Sequence, residues 1–98
     1  MKKLVRDKIP DIANENVSFD ILSNDDYRTL LREKLVEEAN EVKESSSRAN
    51  LVEELGDLEE VLRAILTDAS ITYEEMDSIR QSKIIQHGKF ENKIAMSI

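Results

Sequence analysis

Apolar positions recur at helical spacing over most of the chain. At about 100° per residue, Leu31, Leu35, Ala39 and Val42 form one arc. Leu51, Leu55, Leu58, Leu62, Ile65 and Ala69 form a second, and Met76 and Ile79 mark a third. The pattern predicts three helices. The first opens after Ser23 or Asn24, with Asp25 and Asp26 favourable in its first turn, and runs to about Glu44. Ser45, Ser46 and Ser47 break it. The second starts between Ser47 and Asn50, where Asn50-x-x-Glu53 resembles a capping arrangement, and continues to about Ala69. The third opens with Thr72-Tyr73-Glu74-Glu75, a capping box by spacing, and ends near Gly88. Ahead of them, Pro10 suits the first turn of a short helix from about 10 to 15. Two runs alternate at strand period instead: Val17, Phe19 and Ile21 early, Ile94, Met96 and Ile98 at the far end. The expected fold is therefore all-α, a helical bundle built on an αα-hairpin with a third helix. The two alternating runs can add a minor two-stranded sheet.

Composition narrows this picture. A chain of 98 residues forms one domain, 1–98, and buries only about two-thirds of its unfolded surface. With no Trp, two Phe and two Tyr, its core is aliphatic and modest, so completion by a homodimer or homotetramer is expected. The absence of Cys excludes disulfides and thiolate metal sites. No apolar run approaches the roughly 20 residues of a membrane span, and no signal-peptide pattern opens the chain, so a cytoplasmic protein is expected. A formal net charge of −7 disfavours nucleic acid as a partner. It equally disfavours a bare triphosphate, unless metal ions mediate.

The acids are not scattered. Glu37-Glu38-x-x-Glu41 and Glu53-Glu54-x-x-Asp57 flank the serine run. Glu38 and Glu54 each project roughly 55° from the centre of their helix's apolar arc, with Glu41 and Asp57 further along the same side. Glu33, Glu37, Glu44, Glu53 and Glu60 point broadly away. The two pairs also lie equally far from the serine loop, so a short-looped antiparallel hairpin brings them to one height. At 6 Å and an effective dielectric near 20, each close pair of carboxylates costs about 3 kcal/mol. A hard, oxygen-preferring cation such as Mg²⁺ or Mn²⁺ relieves that best. An EF-hand loop is absent, and His87, the only histidine, belongs to no Glu-x-x-His motif of a di-iron bundle. The bland alternative is a wet helix face on which Lys34 pairs with Glu38 one turn away.

Cations complement the acids. Lys83 projects between Met76 and Ile79 on the third helix, with Arg80 close by. Such a lysine either snorkels over core or aims at phosphates. Arg6 and Lys8 near the start are further candidates, as are Lys89 and Lys93 past the third helix. His87 reads as an ordinary helix-end residue.

Glu37-Glu38-x-x-Glu41, twelve residues, then Glu54-x-x-Asp57 resembles the E-E-x-x-E…E-x-x-D signature of the all-α NTP pyrophosphatase superfamily. Lys3-Leu4-Val5-Arg6-Asp7-Lys8-Ile9-Pro10, Glu53-Glu54-Leu55-Gly56-Asp57 and the tail around Lys83 and Gly88-Lys89-Phe90 narrow the likeness. They resemble the small, single-domain MazG-like branch related to phosphoribosyl-ATP pyrophosphatase. That branch commonly shows Arg-Gly-Gly-Phe where this chain has His87-Gly88-Lys89-Phe90. The resemblance implies Mg²⁺-dependent hydrolysis of a nucleoside triphosphate between its α and β phosphates, serving nucleotide-pool clearance. It implies Glu38, Glu41, Glu54 and Asp57 as metal ligands and Lys83, with Arg80, as support for the leaving pyrophosphate. Arg6 and Lys8 are further substrate contacts, and Glu37 stands outside the ligand set. Two alternatives stay open: the same fold acting on phosphoribosyl-ATP, and a catalytically silent helical interaction module.

Overall fold

A computed structural model describes residues 2–14 and 16–98. It contains four helices, α1 (Ile9–Ile12), α2 (Asn24–Lys43), α3 (Arg48–Asp68) and α4 (Tyr73–His87). Local chemistry accounts for their ends. Ser23, Ser47 and Thr72 are the N-caps of the three long helices, their hydroxyl oxygens accepting from the backbone N–H of Asp26, Asn50 and Glu75. The capping residue of α3 is thus Ser47 rather than Asn50. Asn50 stands one turn in, and its side-chain oxygen accepts from the Ser46 N–H at 3.3 Å. Gly88 closes α4 in a left-handed conformation (φ +84°), which its missing Cβ permits, and its N–H donates to Ile84 O at 2.8 Å. Pro10 occupies the first turn of α1. That helix ends at Ile12, so the expected continuation through residue 14 does not form, and its expected last residue, Glu15, lies outside the described residues.

The expected minor sheet does not form. No strand occurs among the described residues, and Val17, Phe19, Ile21, Ile94, Met96 and Ile98 are all exposed. Two strands alone are marginal in water, and neither run lies on a surface that would bury one of its faces. The early run instead meets the N-terminal segment through an exposed Lys2–Asp20 ion pair at 3.2 Å.

Extensive helix packing is confined to α2 against α3. They form an antiparallel hairpin. At its open end Arg28 Nε donates to Asp68 Oδ2 at 3.2 Å, joining the start of α2 to the end of α3. Leu31 and Leu66 are the buried hydrophobic residues among those described. Arg63 stacks over the Tyr73 ring at 5.1 Å to its centroid and ties α3 to the start of α4.

The seam follows the apolar arcs in part. On α2 the shielded positions are Tyr27, Leu30, Leu31, Lys34, Leu35, Glu37, Glu38 and Val42, while Ala39 is exposed. On α3 they include Glu54, Asp57, Val61 and Ile65, while Leu51 and Leu55 are exposed. Leu58 and Leu62 of the α3 arc are shielded as well, so the acidic flank of each helix enters the seam beside its apolar arc, and the N-terminal part of the α3 leucine stripe stays outside. The radius of gyration is 16.9 Å, against about 13 Å for a compact chain of this length.

Candidate metal centre

Glu38, Glu54 and Asp57 converge across the seam, each offering a carboxylate oxygen within 4.8 Å of the other two. Glu38 lies within α2 and Glu54 and Asp57 lie within α3, so helical backbone on both sides of the hairpin holds all three. Glu38 is the most enclosed, its side chain 12% exposed. Asp57 is 38% exposed and sits nearer the rim. Two oxygens on opposite sides of a Mg²⁺ ion stand about 4.2 Å apart, at 2.0–2.1 Å per bond. The observed spacing reaches that with small side-chain rotations. Three carboxylate oxygens so placed form an acidic cluster that could hold a metal ion, with solvent open to its remaining positions.

The electrostatics agree with like charges held close. Partial burial raises the Glu54 carboxyl above its ordinary range, reinforced by Glu41 and Asp57 and, more weakly, by Glu38. Asn50 works against this: its Nδ2 donates to Glu54 Oε1 at 3.3 Å, favouring the ionised form. One asparagine thus links the interhelix loop to a candidate ligand. Nothing in the periodic pattern signals this, because position 50 reads equally well as a cap.

Three basic groups already attend the acids. Arg6 donates from a terminal guanidinium nitrogen to Asp57 Oδ1 at 2.8 Å. Lys34, only 19% exposed, lies 3.6 Å from Glu38 Oε1 and 3.4 Å from Glu37 Oε2. Lys3 Nζ lies 2.7 Å from Glu37 Oε1. The hydrogen bond from Lys3 draws the Glu37 carboxyl below its ordinary range, against burial and with help from Lys34. Glu37 is therefore an ion-pair partner rather than an acid turned to open water. The N-terminal segment laid alongside α2 supplies that partner, which a projection of α2 by itself does not include.

The remaining candidates are placed as follows. Glu41 is exposed and stands outside the converging trio, close enough to bear on Glu54 through its charge. Arg6 and Lys8 line a cavity of about 370 Å³ that also reaches Glu38 and Asp57. Tyr27, Leu31 and Val61 supply its apolar part. Arg80 and Lys83 are exposed on α4; Arg80 is engaged by Asp77 in its own helix at 2.7 Å. Among the described residues, neither pairs with the acidic seam. His87 lies in the last turn of α4. No helix among the described residues is long and apolar enough to cross a membrane.

No family model matches this chain, and neither a curated protein nor a solved structure shows significant similarity to it.

Proposed function

We propose that this chain is a Mg²⁺-dependent nucleoside triphosphate pyrophosphohydrolase of the MazG-like all-α kind, working as a cytoplasmic homo-oligomer. The observation that carries the reading is the meeting of Glu38, Glu54 and Asp57 from two helices, beside a cavity that also presents Arg6 and Lys8. The reaction adds water to the α-phosphorus and breaks its bond to the α–β bridging oxygen, giving nucleoside monophosphate and pyrophosphate. Bound Mg²⁺ supplies neutralisation of phosphate charge and activation of the attacking water.

The chain's own residues divide the remaining work. Glu38, Glu54 and Asp57 are the ligand set, and Glu41 on the rim can complete it by a rotamer change. Asn50 orients Glu54. Arg6 and Lys8 answer the negative charge of the polyphosphate, and the cavity floor of Tyr27, Leu31 and Val61 takes the less polar part of the nucleotide. Arg80 and Lys83 reach such a substrate only if α4 reseats or a second copy presents them. Leucines left outside the hairpin seam favour a second copy.

One observation favours a different reading. Glu38 and Asp57 already have Lys34 and Arg6 as counter-charges, as expected of a self-neutralised cluster in a non-catalytic interaction module. Pyrophosphate release from a panel of ribo- and deoxyribonucleoside triphosphates separates the two, with phosphoribosyl-ATP included. Turnover with Mg²⁺ or Mn²⁺ and none with EDTA supports the enzyme, and the best substrate defines the pocket. No turnover on any of them, together with no calorimetric metal binding, leaves the module.

A further inference from the structure

We propose that the segment 2–8 is a basic strap that acts as an internal counter-cation for the acidic seam and is displaced from it by a divalent cation. The inference rests on the metal reading above and adds a conformational exchange to it.

The strap spans the seam with one cation on each helix: Lys3 on Glu37 of α2 at 2.7 Å and Arg6 on Asp57 of α3 at 2.8 Å. Between those anchors Leu4 and Val5 lie along the cavity that reaches Glu38 and Asp57. Arg6 thus holds an oxygen of one of the three converging carboxylates. A divalent ion that takes Asp57 as a ligand competes with Arg6 for the same negative charge. The contest is unequal. Both strap cations are mostly exposed, at 63% for Lys3 and 60% for Arg6, and exposed ion pairs are weak and screened by salt. An ion of charge +2 bound by three carboxylates is not. The strap is held by little else: an exposed Lys2–Asp20 ion pair, and two backbone hydrogen bonds at its own end, from the Ile9 N–H to Arg6 O and from the Asp11 N–H to Lys8 O. Once freed, Arg6 remains tethered beside the cavity, where an incoming polyphosphate replaces Asp57 as its partner.

Two measurements on the full chain test this. The first is calorimetric Mn²⁺ affinity, with no nucleotide present, of the wild type, Arg6→Gln and Arg6→Lys. Loss of the competing cation is expected to tighten Mn²⁺ binding about threefold or more in Arg6→Gln, with Arg6→Lys near the wild type. The second uses the wild type alone. Trypsin must take the Arg6 side chain into its specificity pocket, so the Asp57 ion pair slows this cut, and saturating Mg²⁺ is expected to speed it severalfold over matched KCl. Cleavage after Lys89 or Lys93 in the exposed tail serves as the internal standard. Equal or weaker Mn²⁺ binding by a normally helical Arg6→Gln would overturn the proposal, since Arg6 would then be orienting Asp57 for the metal. Slower cleavage after Arg6 in Mg²⁺ would overturn it too, without any variant. A wild type that binds no Mn²⁺ defeats the metal reading itself, and is distinguishable from both.

Discussion

Half-buried beside the carboxylates of Glu41 and Asp57, Glu54 holds its proton more tightly than an ordinary glutamate. The unfolded chain gives up this proton in the usual carboxylate range, and the folded chain only at higher pH. In the window between, the folded state binds more protons, so this group's contribution to stability falls as pH rises through the raised value. Glu54→Gln removes the penalty. In EDTA its melting temperature is expected to exceed that of the wild type, with the difference shrinking below the usual carboxylate range. Under the proposed metal reading Mg²⁺ is expected to reverse the order, the wild type gaining about 2.7 kcal/mol at a hundred times its Kd and the variant little. Thermal melts at several pH values, with and without Mg²⁺, check both. A variant that is less stable in EDTA would mean that the Asn50 hydrogen bond outweighs the crowding of charge. The residues of this acidic cluster were legible in the sequence. Spacing and offset marked Glu38, Glu54 and Asp57. Lys34 was legible as the partner of Glu38 one turn away, whereas Asn50 also reads as a cap and Lys3 lies on a segment that the helical projection does not place.

Among the elements, α3 sets the site, and its ends and interior make separable contributions. Ser47 caps it, the hydroxyl accepting from Asn50 N–H at 3.1 Å. Ser47→Ala is expected to cost about 1 kcal/mol in urea denaturation. It should also weaken Mn²⁺ binding, because Asn50 and through it Glu54 lose their anchor at the loop. Gly56 works in the other direction. A Cβ at this position meets nothing within 4 Å, and glycine inside a helix costs roughly 0.5–1 kcal/mol relative to alanine. Gly56→Ala is expected to stabilise the isolated chain by about that amount. The same variant losing self-association or turnover would show that a partner or ligand approaches α3 there. Helix existence and ends followed from capping hydroxyls and the apolar period, both local properties. How deeply each acidic flank enters the seam did not. It depends on how the short loop and the strap bring two cylinders together, and that brought Glu38 from the margin of an arc into the seam while leaving Leu51 and Leu55 outside.

For the whole molecule, the balance of buried and exposed surface points beyond one copy. Leu31 and Leu66 are a small buried core for 98 residues, and Leu55 of α3 and Ile79 and Ile85 of α4 all lie open. Stability is therefore expected to rise with protein concentration, and sedimentation should give a multiple of the 11.3 kDa chain mass. Leu55→Glu is expected to shift the sedimenting species toward the single chain and lower its melting temperature. A wild type that sediments as one chain at every concentration would remove the second copy from the site, and Arg80 and Lys83 with it.

The sequence by itself determined the all-helical class, the three long helices with their caps, and the pairing of two acidic motifs at one height about a short loop. All of these depend on interactions within a few residues or on counting turns. Tertiary structure alone decided how deeply each acidic flank entered the seam and that the two alternating end runs stayed unpaired. It also decided that Arg6 and Lys3 lie on the acids, and that Arg80 and Lys83 do not. Those outcomes turn on long-range packing and on charges separated by up to fifty-one residues in the chain, between Arg6 and Asp57, for which no local period carries a signal.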